Sequence, residues 1–111
     1  MKISKIYTFI SDTYRQNRGG WSRILTISCK VCETFLFHYQ KDGSGPLKRC
    51  YFDRILDIQP KFNDQRFVFC PHCKACLGFN EPYAKEHNRP ALRWAVEAIN
   101  YKVISASEIT T

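Results

Sequence analysis

Cys29-Lys30-Val31-Cys32 and Cys70-Pro71-His72-Cys73 are two Cys-x2-Cys pairs in a chain of 111 residues that holds six cysteines. Each pair can close a tight turn that aims two sulfurs at one point, and Pro71 is itself a turn residue. Four thiolates match the tetrahedral coordination of Zn²⁺. They also close its coordination sphere, whereas a catalytic zinc keeps a position open for water or substrate. The chemistry expected of these residues is therefore scaffolding. Two disulfides, or unrelated buried thiols, are the competing reading of the same spacing.

The remaining cysteines and the histidine near the pairs leave choices open. Cys73-Lys74-Ala75-Cys76 is also a Cys-x2-Cys, so Cys76 rivals Cys73 as fourth ligand. His72 sits between two thiols in a tight turn, where an outward ring is expected. Cys50 has apolar neighbours and is expected to pack as a small hydrophobe.

The elements that must position these thiols are mostly strands. Residues 23–28 and 34–39 flank the first pair with β-branched and aromatic residues. Lys41-Asp42-Gly43-Ser44-Gly45-Pro46 is the clearest turn, and residues 47–56 are expected to return as its hairpin partner. Residues 57–65 contain Pro60 and read as a loop. Residues 66–69 lead into the second pair and residues 77–79 leave it. In residues 2–14, Ile3, Ile6, Tyr7, Ile10 and Tyr14 fall at helical spacing, which predicts a short amphipathic helix. Residues 13–21 read as an exposed, mobile connector broken by Gly19-Gly20. Near the end, Asn88 as cap, Pro90 in the first turn, and Leu92, Ala95, Val96, Ile99 and Val103 at helical spacing predict a helix to about residue 105. The expected fold class is α+β: a basic segment over 1–21, a small β-rich metal domain over 22–80, and a C-terminal helix and tail over 81–111.

Phe69-Cys70-Pro71-His72-Cys73-Lys74-Ala75-Cys76-Leu77-Gly78 resembles the C-terminal knuckle of zinc-ribbon domains, where Cys-Pro-x-Cys is followed by a hydrophobic residue and Gly. The resemblance spans roughly residues 24–80. It implies a ligand set of Cys29, Cys32, Cys70 and Cys73, with Cys76 on the exit strand and a zinc ion as cofactor. Iron occupies the same sulfurs in rubredoxin-like sites, and spacing does not separate the two metals. Two departures stand out: neither second cysteine is followed by Gly, and Cys76 is an additional thiol. Residues 41–55 are similar to inserts of small uncharacterised microbial zinc-ribbon proteins. Zinc ribbons serve many functions, so the resemblance names no activity.

Charge points to the partner class. The formal net charge is +7, and four thiolates with one Zn²⁺ would lower it by two. Residues 1–30 hold six basic residues against Asp12 alone. A basic end interleaved with aromatic residues suggests a polyanion, most often nucleic acid. Tyr14, Arg15, Arg18, Trp21, Arg23, Lys48 and Arg49 are the expected contacts. Phe35, Phe37, Phe52, Phe67 and Phe69 are expected in the core. The Gly43-Ser44-Gly45 turn, flanked by Lys41, Lys48 and Arg49, could also face a phosphate, although a plain hairpin turn is the simpler reading. The rival function is a protein–protein adaptor, and a third is thiol-redox or metal handling through Cys50 or Cys76. No nucleophile–base pattern and no zinc-deaminase signature stands out, so enzyme activity is not expected. No apolar run approaches the ~18 residues of a membrane helix, and residues 1–28 do not read as an export signal. Unexported cysteines imply a reducing, intracellular compartment.

Overall fold

Alternation of buried and exposed side chains organises seven strands into two antiparallel sheets. The computed structural model describes residues 7–56 and 66–105. A short helix, α1 (Thr13–Asn17), precedes β1 (Ser22–Cys29) and β2 (Phe35–Asp42). β3 (Arg49–Tyr51), β4 (Phe67–Phe69), β5 (Cys76–Asn80), β6 (Ala91–Trp94) and β7 (Ile99–Ile104) follow. The first sheet has the order β2-β1-β7 and the second β3-β6-β5-β4. On β1, Leu25, Ile27 and Cys29 are buried and alternate with half-buried Thr26 and Ser28. Their cross-strand partners Tyr39 and Phe37 extend the same face. That face packs into one core with Cys50, Ile55, Val68, Cys70, Leu77, Leu92 and Trp94. Phe37 and Trp94 stack with ring centroids 6.1 Å apart. Each fully buried large apolar side chain contributes about 1.5–3 kcal/mol relative to exposure.

The C-terminal helix expected from the sequence is not formed. Residues 91–94 and 99–104 are β6 and β7, so the fold is β-rich, with a short N-terminal stretch as the only α-helix among the described residues. The helical stripe never had a consistent inside: Leu92 is buried, but Val96 is 94% exposed and Val103 49% exposed. Glu97 adopts φ 56°, which breaks any helix between the strands. β7 instead completes the first sheet, pairing from Ile24↔Ile104 to Cys29↔Ile99. Its β-branched and aromatic residues suit that place better than a helix.

Three further expectations change. The turn after β2 is a crossover and not a hairpin: β3 is only three residues long and pairs with β6 in the other sheet. A 3₁₀ turn, Phe52–Arg54, follows it, and contact with β2 is kept by the Tyr39↔Ile55 bridge. The helix near the N-terminus begins later than expected, with Asp12 capping the backbone N–H of Arg15. Residues 2–6 of the expected helix, and the expected loop over 57–65, lie outside the described residues. Phe35, Phe67 and Phe69 are 47–49% exposed: Val68 takes the inward position of β4 between the last two, and Phe35 stands at the open start of β2.

The segment expected to be a mobile connector is tied to the sheets by polar contacts. Gln40, buried on the other face of β2, accepts hydrogen bonds from Tyr7 OH and the Ile10 N–H and donates to the Ile10 carbonyl. Arg54 is 1% exposed and reaches Asp42 at 2.9 Å and Asp12 at 2.6 Å. Asp42 also accepts from Ser22 and Gln40. This is a satisfied buried network, and removing the Arg54 side chain would strand Asp42 at a cost of about 3–5 kcal/mol. A second buried arginine, Arg89, grips Asp53 through both Nε and Nη2. Its guanidinium lies 4.0 Å from the Tyr14 ring centroid and 3.9 Å from that of Tyr51. Glu86 joins Arg89 to Arg18.

Two tests follow from this packing. A Cβ on Gly78 would collide with the carbonyl of Arg93 on the neighbouring strand. Gly78→Ala should therefore destabilise the protein by roughly 1–3 kcal/mol in urea unfolding. Burial tends to raise the Glu86 carboxyl, but hydrogen bonds from Arg18 and Arg89 outweigh it and hold it below its ordinary 4.5. A lowered folded value gives stability that is present above about pH 4.5 and is lost as pH falls through the folded value. The stability gap between the parent and Glu86→Gln should be full at pH 7 and close on acidification below 4.5; a pH-independent gap would contradict the ionic account.

Candidate metal centre

Each half of the centre is the tip of a hairpin. β1 ends on Cys29, the chain turns through residues 30–34, and β2 begins at Phe35. β4 ends at Phe69, the chain turns through residues 70–75, and β5 begins at Cys76. The two turns use the same hydrogen bonds. Glu33 N–H donates to the Cys29 carbonyl at 2.8 Å and Cys29 N–H to that of Thr34 at 2.9 Å. Lys74 N–H donates to the Cys70 carbonyl at 3.0 Å and Cys70 N–H to that of Ala75 at 2.8 Å. Glu33 and Lys74, directly after the second cysteine of each pair, adopt φ 62° and 67°. Glycine is the residue that takes this left-handed conformation freely. The geometry is thus kept where its usual residue is missing, at a strain of about 1–2 kcal/mol per site.

The tips bring Cys29, Cys32, Cys70 and Cys73 together, with all four sulfurs within 4.8 Å of one another. Cys29 Sγ is 3.7 Å from Cys73 Sγ, and Cys32 Sγ is 3.6 Å from Cys70 Sγ. A tetrahedral site with metal–sulfur bonds of about 2.3 Å has sulfur–sulfur edges of about 3.8 Å. These separations fit one metal ion and are far longer than a disulfide bond of about 2.05 Å. All six cysteines carry free thiols. The ligand set expected from the sequence is the one assembled, and Cys76 is exposed at the start of β5, with its sulfur 3.8 Å from the Gly78 carbonyl. His72 is exposed, as expected.

The electrostatics of the cluster call for a cation. The Thr34 hydroxyl, 3.1 Å from Cys32 Sγ, and the Thr34 N–H pull the Cys32 thiol down to about 6. Burial works against ionisation of Cys70, but the N–H groups of Cys73 and His72 lower it overall. A hydrogen bond from the Ala75 N–H favours the Cys73 thiolate, yet burial and the three neighbouring sulfurs push it up to about 11. Four thiolates this close repel one another, and a divalent ion removes the conflict. Cys50 is different. It is 0% exposed, burial drives its thiol well above the ordinary range, and Trp94 Nε1 donates to it at 3.2 Å. It packs in the core, as expected, and is a poor nucleophile there.

The residues expected to contact nucleic acid do not form one surface. Tyr14 and Arg18 are engaged with Arg89 and Glu86. Arg15 donates to Ser22 at 2.8 Å and lies over Phe9. Arg49 stacks 4.4 Å from the Tyr83 centroid. Trp21 is 44% exposed with Arg23 over its ring, and Lys48 is exposed. Trp21, Arg23, Lys48 and Arg49 gather near the crossover turn, where Gly43 N–H donates to the Trp21 carbonyl. Lys41, taken from the sequence only as a flank of that turn, is buried at this end. Arg54, which in the sequence reads either as part of a basic stripe with Lys48 and Arg49 or as an ion pair with Asp53, lies 3.7 Å from Asp53 but is held more closely by Asp12 and Asp42. The role of Arg89 carried no sequence signal. Among the described residues no helix is long and apolar enough to cross a membrane.

No family model, curated protein or solved structure matches this chain. Four cysteines placed to hold one metal ion are thus the firm functional ground. Zinc titration of the reduced protein should show one tight equivalent and a large rise in Tm, consistent with roughly 10 kcal/mol of coupled binding and folding. Cys73→Ser should lose both, while Cys76→Ser should keep both; equal losses would mean that the exit-strand thiol shares the ligand role.

Proposed function

We propose that this protein is a non-catalytic zinc-ribbon module that binds nucleic acid through the end of its first sheet remote from the metal. Zinc is the ion best suited to a closed four-thiolate site with no redox role to play. The carrying observation is the division of β1 into two ends. Cys29 closes one end, and Arg23, with Trp21 beside it, opens the other about 20 Å away. Around that far end lie Trp21, Arg23, Lys41, Lys48 and Arg49, an exposed indole among cations. Base stacking on an aromatic face together with phosphate neutralisation is the usual chemistry of single-strand binding. The excess charge of +7 has the right sign for it.

A second reading has its own observation. Val31 in the first metal turn is 70% exposed, and Phe35, Phe67 and Phe69 beside the two turns are each close to half exposed. Such side chains suit docking to a protein partner. Thiol-redox chemistry at Cys50 is disfavoured by its burial.

Fluorescence anisotropy of the zinc-loaded protein with short single-stranded and duplex DNA and RNA separates the readings. Nucleic-acid binding should weaken steeply between low and physiological salt, and Arg23→Ala with Lys48→Ala should reduce the salt slope by about two. Trp21→Ala should weaken single-strand binding by about 1–3 kcal/mol. Absence of binding at low salt would discard this reading in favour of docking.

A further inference from the structure

The crossover between the sheets builds a cavity of about 280 Å³ whose lining includes Arg18, Lys41, Lys48, Arg49 and Tyr51. The charges around it do not balance. Asp42 also lines it, but its carboxylate is bound by Arg54, Ser22 and Gln40. Glu86 serves Arg18 and Arg89, and Glu81 is shared between Arg49 and Arg93. Among the described residues, Lys41, Lys48 and Arg23 form no ion pair. Lys41 is 8% exposed, and among the described residues its ammonium reaches the carbonyl oxygens of Gly43 at 3.3 Å and Ser44 at 3.4 Å.

Two observations show that the shortage of negative charge is built in. Lys41 pairs directly with Arg23 across the β1–β2 ladder, and like charges placed so are destabilising. Among the described residues, the Nε–H of Arg49, which lines the cavity, is buried with no hydrogen-bond partner, and so is that of Arg23 on the adjoining strand. Buried donors are almost always satisfied, so the one on a residue lining the cavity points to a missing acceptor there. Burial, followed by the Arg23 and Arg18 charges, lowers the Lys41 ammonium below its ordinary value, in keeping with the same deficit.

We infer that this cavity is a binding site for the phosphate dianion of a phosphate monoester, held by Lys41, Lys48 and Arg49. The site deepens the nucleic-acid reading and rests on the same cationic end. Its volume lies at the lower limit of small-molecule sites, roughly 300–1,000 Å³, and suits a phosphoryl group with little attached. The same chemistry is offered by the phosphorylated end of a strand or by a small phosphate ester. Ser44, Gly45 and Pro46 also line the cavity and are exposed, so it is open to solvent.

The test uses the zinc-loaded full chain. Inorganic phosphate should raise Tm saturably, beyond chloride of equal ionic strength. Lys41→Met and Lys48→Ala should each reduce that response at least fivefold. Lys41→Met keeps the buried stem and removes a repelled charge, so it should fold at least as stably as the parent without phosphate; Lys48 is exposed and its loss should leave folding intact. Strands bearing a 5′-phosphate are then compared with 5′-hydroxyl strands. At least tenfold tighter binding of the phosphorylated strand assigns the site to strand ends. Saturable phosphate binding without strand binding assigns it to a small ester, keeps the site and removes the nucleic-acid reading. No phosphate effect beyond chloride overturns the site, even where strands bind along the surface.

Discussion

Two hairpin tips from different sheets meet at four sulfur atoms, and most of the architecture is arranged around that meeting. The sheets share a core, but among the described residues no strand of one pairs with a strand of the other. Cys32 and Cys70 stand 38 positions apart in the chain. A metal joining them would be a long-range cross-link, limiting the unfolded ensemble as a disulfide does. A domain of this size buries only a modest apolar area, so such a link carries unusual weight. It also explains why the sulfurs sit in tight turns: short turns leave each pair almost no freedom to lose.

The cationic end follows a different economy of charge. Arg54 and Arg89 are buried with nearly complete sets of carboxylate partners, and they clamp the N-terminal segment and the residue 84–89 region onto the sheets. Arg23, Lys41 and Lys48 are not provided for in this way. The contrast within one small protein separates cations that organise the fold from cations left for something outside it. Tyr14 belongs to the first group, sealing one face of Arg89 while Tyr51 seals the other.

The metal site was legible because its chemistry is local: the Cys-x2-Cys spacing, Pro71 and the following Leu77-Gly78 define a turn regardless of the remaining fold. The strands beside the turns were legible for the same reason. The C-terminal segment was not. Leu92, Ala95, Ile99 and Val103 satisfy a helical period by coincidence, and the free edge of β1 lets the β-branched and aromatic residues of 99–104 extend instead. The crossover after β2 was hidden likewise, since a Gly-rich turn looks the same whether it returns to its own sheet or leaves for another. Arg54 and Arg89 each have an acid close by in sequence, Asp53 and Glu86. They are held in the interior by acids from distant segments, Asp12 and Asp42 for Arg54 and Asp53 for Arg89, which no short-range pattern discloses. Phe67 and Phe69 show the limit of hydrophobicity as a guide: on a three-residue strand, two of three side chains face away from Val68.

Glu33 and Lys74 hold left-handed backbone where a glycine would contribute no side chain at all. Both are exposed, so the metal lobe carries a carboxylate on one turn and an ammonium on the other, the latter 3.1 Å from the Pro71 carbonyl. The strained positions are thereby also adjustable ones. Exchanging their charges would alter the potential felt by the thiolates without touching a ligand, giving the lobe a means of tuning metal retention that a glycine-bearing turn does not possess.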